Sequence, residues 1–175
     1  MKKLVQIIAL FSLLLVFAPK YAQGQSPYTT ALGIRFGYQY GLSLKHFTKG
    51  NMAIEGIFSS RGFGNNYWGN GYFGWSLTGL LEWHNPVGSV SGLNWYIGGG
   101  AHVASWHRST YTNRNWTTTR DRYTVIGLDG IIGLEYTIPN APITLALDWK
   151  PAFEFLNGYY FAGDGVALTL RFTLK

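Results

Sequence analysis

The stretch Ala141-Pro142-Ile143-Thr144-Leu145-Ala146-Leu147-Asp148-Trp149-Lys150-Pro151-Ala152-Phe153-Glu154-Phe155 decides the fold. Ile143, Leu145, Leu147 and Trp149 share one phase, and Thr144, Ala146, Asp148 and Lys150 share the other. Successive side chains of an extended backbone point to opposite sides, so a period of two means strand. Outward from this stretch the same alternation recurs in eight segments, at about 30–39, 42–48, 52–61, 72–84, 93–106, 122–136, 143–155 and 166–172. Lys49-Gly50-Asn51, the run from Asn85-Pro86 to Gly92, and Pro139 to Pro142 read as turns, mostly short. Residues 62–71, 107–121 and 157–165 read as longer polar or aromatic loops, and Gln39 to Gly41 as a tight first one. The expected fold is all-β, an eight-stranded antiparallel up-and-down barrel.

The two faces decide which solvent surrounds such a barrel. One phase carries bulky apolar groups such as Trp75, Trp83, Trp95 and Trp149, and the other carries glycine, alanine, serine, threonine and charges. The interior of an eight-stranded barrel is just wide enough to be filled by side chains. Small and charged residues suit that lumen and the bulky row suits lipid, the reverse of a soluble lipocalin-type barrel. Arg35, Lys45, Glu55, Arg61, Glu82, Asp129, Glu135, Asp148, Lys150, Glu154 and Arg171 all fall on the inward phase. They are expected to form a lumen network of compensating charges, because an unpaired Arg or Lys facing lipid at the midplane costs about 2–4 kcal/mol. Trp83, Trp95, Tyr136 and Trp149 fall near strand ends, where amphipathic rings form interfacial girdles.

The chain's first residues and its composition agree with this reading. Residues 1–24 have the layout of a secretory signal: Lys2 and Lys3, an apolar run from Leu4 to Phe17, and Ala22-Gln23-Gly24 as a small-x-small cleavage site. That run is shorter than the roughly 20 residues of a transmembrane helix. Cleavage would leave 25–175 as a single barrel domain. Seven Trp, twelve Tyr and eleven Phe, with charged residues at only 13%, fit a lipid-facing surface. The net charge of +6 falls to +3 once Lys2, Lys3 and Lys20 leave with the signal, too mild to imply nucleic acid. With no cysteine there are no disulfides and no thiolate metal sites.

Several short runs carry a family resemblance: Lys45-His46-Phe47, Ala53-Ile54-Glu55-Gly56, Trp95-Tyr96-Ile97-Gly98-Gly99-Gly100-Ala101-His102, Gly127-Leu128-Asp129-Gly130-Ile131-Ile132-Gly133-Leu134-Glu135-Tyr136 and Leu147-Asp148-Trp149-Lys150-Pro151. Together they resemble the small outer-membrane β-barrel domains of Bacteroidetes-type bacteria, similar in architecture to OmpX and the OmpA barrel. The resemblance spans the chain after the signal. It implies a Gram-negative outer-membrane address, a lipid environment and insertion by the barrel-assembly machinery, and it defines no catalytic residue. One departure is the final strand, where the candidate terminal aromatic, Phe172, stands three positions before Lys175.

Motifs that carry chemistry elsewhere have plainer readings here. Gly69-Asn70-Gly71-Tyr72-Phe73-Gly74 matches the dinucleotide-binding spacing, but no helix follows to hold a pyrophosphate, so it reads as a loop entering a strand. Gly98-Gly99-Gly100 reads as a strand bend or a close approach. His46, His84, His102 and His107 have no metal-ligand spacing, and neither a metal nor a cofactor is expected. A lipid A-modifying enzyme would need a histidine, a nucleophile and an orienting acid near the rim. The candidates are His102 or His107, Ser105 or Ser109, and Asp121 or Asp164, without a nucleophile motif around them.

The best interaction candidate is the run from His107 to Arg122, where Arg108, Arg114, Arg120 and Arg122 alternate with Tyr111 and Trp116. Arginines so placed suit the phosphates of lipopolysaccharide. The expected function is a monomeric, non-enzymatic outer-membrane barrel with a structural or surface-interaction role. The alternative is a narrow ion path along Arg35, Glu55, Glu82 and Asp129.

Overall fold

The structure is a computed structural model that describes residues 28–65, 70–88, 90–112, 117–155, 160–163 and 165–174. It contains ten strand segments: β1 Thr30–Gly37, β2 Tyr40–Lys49, β3 Met52–Asn65, β4 Asn70–Pro86, β5 Leu93–Thr112, β6 Thr117–Thr137, β7 Ile143–Trp149, β8 Ala152–Glu154, β9 Tyr160–Ala162 and β10 Val166–Leu174. Every pairing is antiparallel. Each segment from β1 to β6 pairs with the next, β6 pairs with both β7 and β8, and β7 pairs with β10. The β1–β10 ladder, from Thr30↔Leu174 to Gly37↔Ala167, completes the ring. β7 with β8, and β9 with β10, each make one wall, so ten segments form a closed barrel of eight strands.

Two features depart from the sequence expectation. The seventh wall is interrupted at Lys150-Pro151, because proline has no N–H for the ladder. Gly130 N–H still donates to the Pro151 carbonyl (2.9 Å) and Lys150 N–H to the Gly165 carbonyl (2.9 Å), so the wall continues across the gap. The second departure concerns the long connections. Residues expected as loops at 62–71 and 107–121 largely continue the strands, with pairing to Asn65↔Asn70 and to Thr112↔Thr117. β9 likewise falls within the third expected loop. Backbone groups leaving a barrel still need partners, and extending a hairpin supplies them.

At the end of the barrel where β1 begins and β10 finishes, called here the terminal end, the chain turns through left-handed residues. Gly50 (φ 61°) serves β2–β3 and Asn140 (φ 63°) serves β6–β7, the residue types that tolerate this conformation. At the far end the β1–β2 connection is only Tyr38 and Gln39, as tight as the sequence suggests. β3 runs on to Asn65 beyond its last β2 partner, the Tyr40↔Ser60 pair. β3, β4, β5 and β6 therefore stand above the β1–β2 hairpin as a raised sheet.

The faces are inverted relative to a soluble barrel. Leu32, Leu42, Leu44, Ile54, Phe58, Leu77, Leu81, Leu128, Leu147, Leu168 and Phe172 are exposed on the outside, while Arg35, Lys45, Glu55, Glu82, Asp129, Glu135, Asp148 and Arg171 are buried within. The expected girdle residues Trp83, Trp95 and Tyr136 lie on the adjacent strands β4, β5 and β6 toward the terminal end. Trp149 closes β7, its indole N–H donating to the Gly163 carbonyl (2.7 Å).

Candidate functional site: the charged lumen and the raised sheet

Inward residues of the terminal half converge on one cluster. Lys45 of β2 places Nζ 2.7 Å from Glu82 Oε2, 3.2 Å from Glu55 Oε2 and 3.3 Å from Glu135 Oε2. Arg171 of β10 donates from Nη2 to Glu55 Oε1 (2.6 Å), from Nη1 to Glu135 Oε2 (3.0 Å) and from Nε to Ser43 Oγ (2.8 Å). The Ser43 hydroxyl in turn donates to Glu55 Oε1 (2.6 Å). All of these charged side chains are essentially inaccessible to solvent. Burial of charge is sustained only when each ion has partners in good geometry, and here one lysine and one arginine tie together three carboxyl groups from three strands.

Aromatic rings cap this cluster. Tyr28, just before β1, donates its hydroxyl to Glu135 Oε1 (2.6 Å), and burial beside that carboxylate pushes its phenol above the ordinary value. Tyr28 packs edge-on against Phe47, Phe47 meets the His84 ring, and His84 stacks on Tyr96 with ring centroids 4.8 Å apart. Lys45 Nζ lies 4.3 Å from the Tyr96 ring centroid, a cation–π contact. Tyr96 also donates to Asp148 Oδ2 (3.0 Å), which receives Arg35 Nη1 at 2.7 Å, and Arg35 makes a second contact to Asp148 Oδ1 and a bond to Thr169. This fork-to-carboxylate geometry is the strong form of the pair.

Above the cluster lies an apolar layer of inward residues, Ile57, Leu80, Ile131 and Ala146, packed with Tyr96. These positions depart from the expectation of an inward phase made only of small and charged residues. Beyond the layer, toward the far end, Asp129 accepts from Lys150 Nζ (2.5 Å) and pairs with His102 Nδ1 (2.7 Å). The imidazole lies over Gly127, whose missing side chain leaves the space it fills.

Nine of the eleven inward charges named from sequence thus occupy the lumen in two groups. Arg61 belongs to β3 and is described by backbone only; Glu154 is half-buried on β8, opposite Gly127. Sequence reasoning missed Tyr28, Ser43, His84 and Tyr96 as members of the network. The inward phase already held the last three, but Tyr28 precedes the first strand and carries no periodic signal. Of the rim enzyme set, the structure describes the side chains of His102, Ser105 and His107, and it does not bring these three together. His102 pairs with Asp129, Ser105 lies on the opposite phase from His102, and His107 accepts from Arg122 Nε (2.7 Å). Asp164 lies outside the described residues, as does the expected signal, residues 1–24.

The expected interaction loop is a correction of form. Arg108 and Tyr111 belong to β5, Arg120 and Arg122 to β6, and Arg108↔Asp121 and Ser109↔Arg120 are paired positions of the raised sheet. Arg122 is exposed, and Arg114 and Trp116 lie outside the described residues.

Neither a protein-family profile nor a curated protein matches the chain. Among solved structures it is similar to the N-terminal β-barrel domain of Pseudomonas aeruginosa OprF, at 14% identity and a TM-score of 0.58, over 87% of this chain and 100% of that one. It is also similar to Neisserial surface protein A, at 9% identity and a TM-score of 0.52, over 83% of this chain and 93% of that one. These are small eight-stranded outer-membrane β-barrels, and the chain shares their fold.

Proposed function

We propose that the chain is exported by residues 1–24 and resides in the outer membrane as a non-enzymatic surface barrel, with a structural lumen and a raised sheet that meets lipopolysaccharide. The observation that carries this reading is the contrast between a lumen crossed by interlocked charges and an apolar layer, and a β3–β6 sheet that continues past its neighbours. An apolar outer face of this extent is stable only in a hydrocarbon environment, and a closed barrel leaves no strand edge within it. The run from His107 to Arg122 carries Arg108, Arg114, Arg120 and Arg122, and guanidinium forks suit phosphate groups.

Binding of the detergent-solubilised barrel to lipopolysaccharide and to its dephosphorylated form tests the proposal. The intact form should bind more tightly, with an affinity that falls as salt rises and that drops when Arg114, Arg120 and Arg122 are changed together to Gln. Equal binding of both forms would overturn the phosphate assignment. In planar bilayers, a reproducible conductance altered by Arg35→Ala or Glu82→Ala would overturn the structural lumen and make a narrow ion path the better reading.

A further inference from the structure

The charges of the terminal cluster do not balance as carboxylates and cations alone. Glu55, Glu82 and Glu135 face Lys45 and Arg171, while Arg35 is committed to Asp148 in a separate pair. One positive charge is missing from a site that water does not reach. Two carboxylate oxygens mark where: Glu55 Oε2 and Glu82 Oε1 are buried and receive no hydrogen from any described group, and the two side chains are diagonal neighbours on the inner face of the paired strands β3 and β4, both held on the Lys45 ammonium group. Two unpartnered acceptors buried in one cluster are costly unless a hydrogen serves them.

The neighbouring groups cannot supply it. Arg171 directs its three hydrogen bonds to Glu55 Oε1, Glu135 and Ser43 and none to either free oxygen, and Ser43 donates to Glu55 Oε1. Tyr28 donates to Glu135 and Tyr96 to Asp148. Lys45 stands 3.2 Å from Glu55 Oε2 without hydrogen-bond geometry. His84 faces Glu82 Oε2 through Nε2 at 2.9 Å, and its buried Nδ1 has no partner. A neutral ring that donates from Nε2 satisfies that arrangement, whereas a protonated ring would bury an orphan N–H. A metal cation is a poor substitute, since hard cations gather six or more oxygens and only two are free here.

We propose that Glu55 and Glu82 form a proton-binding site, with one proton shared between Glu55 Oε2 and Glu82 Oε1 that completes the charge balance of the lumen and locks its terminal half. In the unfolded chain both carboxyls ionise near their ordinary values, about 4.3. Above that range the folded barrel holds one proton more than the unfolded chain. The folded-to-unfolded ratio then falls about tenfold per pH unit until the native pair releases its proton. The barrel thus carries a lock that weakens toward alkaline pH.

Glu82→Gln separates this site from every other titrating group, because the amide supplies a hydrogen to Glu55 without exchanging a proton. Urea unfolding of wild type and Glu82→Gln in sodium chloride, between about pH 6 and pH 8, should show the wild-type ratio falling about a hundredfold relative to the variant. Parallel profiles would overturn the proposal. Infrared spectra of wild type with labelled glutamate decide the matter even if the variant does not fold. A protonated-carboxyl stretch at pH 8 is expected, and its absence would overturn the proposal. Replacing sodium with choline should change nothing; a loss of stability would assign the missing charge to a bound cation.

Discussion

The two halves of the lumen hold buried charge in different ways. In the terminal half, Lys45 and Arg171 each serve more than one carboxyl group, and an aromatic column from Tyr28 to Tyr96 closes over them. In the far half, Asp129 serves two partners, and one of these, the Lys150 side chain, is 15% exposed and has a route to water. The dry lattice is therefore strong only as a unit, because losing one member strands the others. The far-end group tolerates loss better, because water can replace a partner.

The most damaging change on this view is Lys45→Met, which keeps most of the side-chain length but leaves Glu55 and Glu135 to Arg171 and strips Glu82 of its cation. Breaking a buried pair by removing one partner costs about 3–5 kcal/mol. Urea titration followed by tryptophan fluorescence, with gel migration of unheated samples, should show the folded fraction reduced to that extent. A variant as stable as wild type would mean that the cluster is hydrated and that the two halves do not differ. Leu168→Arg supplies the limiting case of a charge with neither a partner nor water. Leu168 is exposed on the outer face of β10, next to the buried Thr169. The cost should be about 2–4 kcal/mol in lipid vesicles, and no cost would contradict the inverted faces.

Much of the barrel was legible in the sequence, and the limit of legibility has a physical cause. Alternation identified the eight walls and the face of each charge, because a register slip of one residue would turn a whole strand inside out. A slip of two leaves the faces unchanged and exchanges every partner. The sequence pattern therefore placed Arg35 and Asp148 inside but could not join them across 113 residues, nor set Lys45 level with Glu135. Height along the barrel is likewise set by pairing, so the alternation alone does not bring Ile57, Leu80 and Ile131 to one level. The raised sheet has the sequence pattern of loops because Gly62, Gly64, Thr117, Thr118 and Thr119 show no bulky alternation. In the proposed setting these residues stand above the lipid, where neither face is selected for bulk, and the period of two fades although the strands continue.

The smallest effect among these changes is expected from Asp129→Asn, and it tests the far half directly. The amide carbonyl can still accept from Lys150, and the ammonium group can turn toward the mouth of the barrel, so little charge is stranded. His102 Nδ1 faces either an acceptor or a donor depending on how the amide is oriented, and so keeps a partner. The expected loss is about 1 kcal/mol, in the range of a single hydrogen bond or a partly exposed pair. Raised salt should narrow the difference from wild type, because only a pair that water reaches is screened. A loss as large as that of Lys45→Met, and indifferent to salt, would show that the far half is as dry as the terminal half. The division of the lumen would then rest on the apolar layer alone and not on access to water.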